Sequence, residues 1–117
     1  MKIRLIALLA SLFIVVPSFA QFWDGNYLVT LMREHEKAVR SDTTTNFWSA
    51  GSFSGFVIGV HDSQDQREFC SPSNATVGQI TAVVAKYLNA HPEQWNESAH
   101  ALVRRALKEG FPCSAVR

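Results

Sequence analysis

The sequence predicts an all-α protein: a small single-domain bundle of about four helices, carrying one disulfide and preceded by an N-terminal signal peptide. Three observations carry this. Apolar residues recur at helical spacing between recognisable caps and stops. The chain opens with an export pattern. It then contains only two cysteines, Cys70 and Cys113.

The opening "MKIRLIALLASLFIVVPSFA" has Lys2 and Arg4 ahead of an apolar run, Leu5 to Val16. Pro17 breaks the run, and Ser18 and Ala20 supply the small residues of a cleavage site. The run is shorter than the roughly 18–20 residues a spanning helix needs. Residues 1–20 therefore read as a signal peptide and 21–117 as one mature domain. The expected location is the periplasm, with no membrane attachment after cleavage. Of 11 basic residues against 10 acidic ones, two lie in the leader. Such a balance argues against nucleic-acid binding, which calls for a basic patch.

Export bears directly on the cysteines. Two cysteines in a small exported domain predict one disulfide. Closing a loop of that size stabilises by about 4 kcal/mol, less any strain. Spacing alone does not bring the two sulfurs together, and an intermolecular bridge satisfies the same count.

Leu28, Leu31, Met32, His35 and Val39 share one helical face in the first mature segment, with Asp24 as N-cap. The polar run Ser41 to Asn46 then reads as a loop. In "FWSAGSFSGFVIGVHD", Phe56 to Val60 alone would suit a strand, but Gly51, Gly55 and Gly59 recur every fourth residue. On a helix they make a small-residue face for close approach of another helix, at a cost of up to about 1 kcal/mol per glycine. Helix is narrowly favoured here. The following "DSQDQRE", Asp62 to Glu68, reads as a polar loop.

Thr76-Val77-Gly78-Gln79 matches a capping box. Ile80, Val83, Val84, Tyr87 and Leu88 follow at helical spacing, and His91-Pro92 stops the helix. In the last segment Asn96 is the expected N-cap and Ala99, Leu102, Val103, Ala106 and Leu107 form the buried stripe. Gly110 is the expected C′ residue, with Phe111 folding back and Pro112 preventing continuation. Cys70 thus precedes one helix and Cys113 follows another.

Several catalytic patterns are incomplete. "HEKAV" lacks the second histidine of a zinc-protease helix, since Val39 holds that position. His35 then reads as a partly buried polar residue. "GSFSG" places Phe53 where a serine nucleophile would stand, and Ser54 reads as a small residue on the glycine-lined face. A thiol nucleophile beside His35, His61, His91 or His100 would require a reduced Cys70, which export disfavours. No Cys-x-x-Cys pair supports zinc. Asn74-Ala75-Thr76 and Asn96-Glu97-Ser98 fit glycosylation acceptors, but helix caps explain the same residue types. No catalytic residue, metal ligand or cofactor is expected. The candidate partner-binding residues are Asp62, Asp65, Arg67 and Glu68 of the polar segment, and Trp95, which otherwise seals the bundle end.

The ordered set "SGFVIGVHD", "FCSPSNATVGQITAVVAKYLNAHPEQW" and "SAHALVRRALKEGFPC" resembles the Rap/Tai family of type VI secretion immunity proteins. The matches to its pattern are Gly55, Phe56, Gly59, Asp62, Phe69, Cys70, Pro72, Gln79, Tyr87, Leu88, His91, Pro92, Ala106, Leu107, Phe111, Pro112 and Cys113. The resemblance implies an all-helical exported domain and makes Cys70–Cys113 the expected pair. It further implies a non-enzymatic inhibitor of a peptidoglycan-cleaving amidase injected by sister cells, often acting as a homodimer. One departure stands out. Relatives commonly carry another cysteine ahead of the glycine–aromatic motif, and "NFWSAGSFSG" has none, so no second bridge is available. The competing expectation is a periplasmic stress or chaperone-like binding module on the same stapled scaffold, distinguished by protection of unrelated clients.

Overall fold

Asp24 starts the first helix as expected, its carboxylate accepting the Tyr27 N–H at 2.9 Å. The computed structural model describes residues 22–114, so the expected signal peptide lies outside the described residues. Four helices follow in order: α1 (Gly25–Val39), α2 (Phe47–Gln64), α3 (Val77–Ala90) and α4 (Ala99–Gly110), with a short 3₁₀ turn at Pro92–Gln94. Among the described residues there are only isolated β-bridges, Asp24 with Ser98 and Asp65 with Phe69. No helix among them is long and apolar enough to cross a membrane.

The core is the sum of four stripes. Leu28, Leu31 and Met32 come from α1, Phe53, Val57 and Val60 from α2, and Ile80, Val84 and Leu88 from α3. From α4 come Ala99, Leu102, Val103, Ala106 and Leu107, and Phe69 enters from the α2–α3 connection. Each large side chain so buried contributes about 1.5–3 kcal/mol, more than any single cap, so packing and not local propensity holds the bundle. The one deeply buried hydroxyl in α3 is satisfied, because Thr81 donates to Val77 O at 2.9 Å.

The capping box forms in full. Gln79 N–H donates to Thr76 Oγ1 at 3.2 Å, and Thr76 N–H donates to Gln79 Oε1 at 2.8 Å. The stop before Pro92 also forms, as α3 ends at Ala90. The disulfide joins Cys70 to Cys113. The backbone reinforces it, since Cys70 N–H donates to Phe111 O at 2.8 Å.

Several local expectations are corrected. "DSQ" is not loop: α2 runs on through Asp62 and Ser63 to Gln64 before Asp65 ends it. Polar residues in the last turn of an exposed helix face lose nothing to water, so polarity alone did not mark the end. Val39 leaves the buried stripe and is 71% exposed, because it sits at the final turn of α1, beyond the packing partner. Ser98, not Asn96, occupies the N-cap of α4, and no side chain caps it. Instead the α4 N-terminus is tied to the start of the domain, with Ala99 N–H donating to Trp23 O at 3.1 Å. Gly110 lies within α4 and has no positive φ. Its reason is proximity: a Cβ there would lie 2.5 Å from Val83 Cγ1. Ser54 is not on the glycine face but turns toward α1, its hydroxyl 3.1 Å from His35 Nδ1. His35 is half-buried against Phe53, and that burial lowers its pKa.

Candidate interaction surface

The α2–α3 junction is a dense polar latch. Gln66 takes a positive φ of 63°, which turns the chain sharply and lets its N–H donate to Phe69 O at 2.7 Å. Asp65 accepts the Ser71 N–H at 2.9 Å and the Gln66 side-chain amide at 3.2 Å. Partial burial pushes the Asp65 carboxyl up. The Ser71 and Gln66 hydrogen bonds and nearby His61 outweigh it and hold the carboxyl below the usual range. Glu68 is bound in a bidentate pair by Arg104 of α4, Arg104 Nε donating at 2.6 Å, and that pairing lowers the Glu68 carboxyl. The latch therefore connects α2, the junction and α4 around the disulfide.

His61 completes it. Its Nε2 lies 2.9 Å from Ser71 Oγ and its Nδ1 2.8 Å from Asp62 Oδ1. This is the connectivity of a hydrolytic serine–histidine–aspartate set, with the accessibilities reversed. In a hydrolase the serine faces substrate and the acid is buried. Here Ser71 is 7% exposed and the Asp62 side chain 72% exposed. The acid that would orient the imidazole is left in water, and the set ties Ser71 of the junction to the last turns of α2. Among the described residues no three histidine, cysteine or acidic side chains cluster to hold a metal ion. Sequence reasoning missed the latch, although His61 followed by Asp62 and Asp65, one turn apart, was its visible trace.

Trp95 faces inward more than outward. Its indole N–H donates to Leu88 O at 2.8 Å, and its carbonyl accepts the Asn26 N–H at 2.8 Å. Gly25 is pressed against it, since a Cβ there would lie 2.6 Å from Trp95 O and 2.5 Å from Leu102 Cδ1. The Arg33 guanidinium lies 5.9 Å from the ring centroid. Trp95 closes the bundle end.

Of the five partner-binding candidates, the structure brings Asp65 and Glu68 into the latch and puts Trp95 in the bundle end. Asp62 and Arg67 remain exposed.

Another open surface is one whose sequence pattern predicted contact with a neighbouring helix. Gly51, Gly55 and Gly59 line the outer face of α2, and a Cβ at any of them would meet nothing within 4 Å. Among the described residues no helix approaches there. Trp48 at 83% and Phe47 at 72% exposure stand at the start of the same helix, and Asp62 continues the face at its end. The result is a flat strip of bare helix backbone with aromatics at one end and an acid at the other. Exposed large aromatics of this kind mark interaction sites more often than isolated aliphatics do.

A search of curated proteins returns no match. A family model for Rap1a immunity proteins matches residues 24–113, from the N-cap of α1 to the second cysteine of the disulfide. That span includes all four helices, the latch and the staple, and the chain belongs to the Rap1a immunity protein family.

Proposed function

We propose that this protein is a periplasmic immunity protein that binds and inhibits a peptidoglycan-cleaving amidase delivered by type VI secretion, protecting the cell from its sisters. It does so by covering the enzyme and performs no chemistry itself. The observation that carries the reading is family membership over the whole helical domain. The disulfide supports export, because such bonds persist in oxidising compartments.

The proposed contact is the outer strip of α2. Its three glycines cost helix stability that no packing among the described residues recovers, because a Cβ at each would meet nothing within 4 Å there. A partner surface laid against the strip would recover it through close backbone approach, anchored by Trp48. Asp62 and Arg67 extend that contact at the helix end. Asp65, Glu68 and Trp95 contribute by holding the frame. The strip is also where we place self-association, should the domain act as a homodimer.

The test is a paired one. The purified mature domain is mixed with a peptidoglycan amidase effector from the same genome, and complex formation and peptidoglycan cleavage are measured. The reading predicts a stoichiometric complex and loss of cleavage, with deletion sensitising cells to sister-cell attack. An unimpeded enzyme together with unchanged survival would refute it. General suppression of aggregation of unrelated proteins would favour the chaperone-like alternative.

A further inference from the structure

Val39 is apolar and lies largely in water. It forms part of a groove of about 480 Å³ between the C-terminal half of α1 and α3. That volume falls in the range of about 300–1,000 Å³ typical of binding clefts. From α3 come small residues, Gly78, Ala82 and Ala85, so the groove is apolar and leaves room for an incoming side chain. Half-buried His35 also lines it, with Nδ1 engaged by Ser54 and Nε2 left as a hydrogen-bonding atom.

The rim charges are not balanced. Glu36, the one acid of the lining, is engaged: Arg33 lies 3.6 Å away and the Asn89 amide donates to it at 2.9 Å. The two cations, Arg40 and Lys86, form no salt bridge among the described residues. Asp42, close to Arg40 in sequence, is occupied by the Thr44 N–H and hydroxyl at 2.8 and 2.7 Å and feels Arg40 only as a more distant charge. An apolar trough flanked by two exposed cations that form no salt bridge among the described residues is complementary to one kind of segment.

We propose that this groove docks a protein segment presenting an aliphatic side chain beside a carboxylate. The aliphatic group sits between Val39 and the alanines of α3, and the carboxylate meets Arg40 and Lys86. The site shares no residue with the outer strip of α2 and stands whether or not the amidase reading holds.

The test titrates the ¹⁵N-labelled mature domain with an acetylated Gly-Ser-Asp-Leu-Glu-Ser-Gly peptide and with a control carrying Lys for both acids. The acidic peptide is expected to shift amide signals saturably around Val39, Arg40, Gly78, Ala82 and Ala85. The control is expected to shift none. The double variant Arg40→Glu, Lys86→Glu alters exposed side chains only, and its unchanged melting temperature certifies folding. It should weaken binding about tenfold or more, the scale of one lost charge contact. Raising salt from about 50 to about 500 mM should do likewise. Absence of shifts, equal shifts from the control, or indifference to charge reversal would each overturn the proposal. So would a concentration-dependent dimer abolished by the double variant, which would assign the groove to a second copy of the chain.

Discussion

Replacing Gly51, Gly55 and Gly59 together by alanine separates folding from binding on a single face. All three are helical, none has a positive φ, and an added methyl at each meets nothing within 4 Å. Among the described residues the intramolecular consequence is the gain in helix propensity, about 0.5–1 kcal/mol per site. Per-residue helix propensities sum along an exposed helix face, so the total is about 1.5–3 kcal/mol. In a domain of this size about 1 kcal/mol moves the melting temperature by roughly 4–8 °C, and a rise of about 10 °C is expected. Circular dichroism melts and urea titrations read this directly. The same methyls hold a partner backbone away from the strip, so the triple variant should inhibit the effector at least about tenfold less well. A stabilised variant with undiminished inhibition would refute the assignment of this face to the partner. A destabilised variant would refute the premise that the face is open.

Other substitutions and conditions follow from the same geometry. Gly25→Ala drives a methyl to within 2.5–2.7 Å of Leu102 and the Trp95 backbone, and should destabilise by about 1–3 kcal/mol or more in urea titration. Replacing Cys70 and Cys113 with serine, or adding reductant, should remove up to about 4 kcal/mol, seen as a lower urea midpoint. Stability should fall with acid in two windows. Burial lowers the His35 pKa, so its contribution is complete above the ordinary histidine value near pH 6.5 and is lost as pH falls through the lowered one. The lowered Asp65 carboxyl gives a second loss, beginning near the ordinary carboxylate range of about pH 4. An Asp65→Asn variant should blunt the second window only, and His35→Gln the first. A flat profile in either window would contradict the assignment.

Much of the frame was readable before any coordinates. The stripe Ala99, Leu102, Val103, Ala106 and Leu107 is buried in full, because a strongly amphipathic helix has one stable orientation against a core. Thr76 with Gln79 and Asp24 act as local caps, since their bonds span only three residues and need no distant partner. The site was less legible. The Asp62–Glu68 segment looked like a solvated loop, yet three of its residues finish α2 and three others, Asp65, Gln66 and Glu68, form the latch with Ser71 and Arg104. Those bonds join residues brought together by the bundle, and no local spacing encodes them.

The amino-acid sequence by itself determined the number and order of the helices, the caps at Asp24 and Thr76–Gln79, the stop before Pro92 and the family, because each rests on contacts within a few residues or on the order of motifs along the chain. Only the tertiary structure decided which faces those helices turn to water. The glycine repeat of α2 has the same local signature whether it meets a neighbouring helix or solvent. The position of α1, α3 and α4 on the other side of α2 left it bare. Gly110 shows the converse: read as a helix stop, it is set by a close approach to Val83, and of the two readings of Trp95, seal of the bundle end or partner anchor, the approach of Gly25 selects the seal; both approaches exist only once the bundle has formed. Burial is a property of the assembled set of surfaces, and a single helix carries only half of each contact.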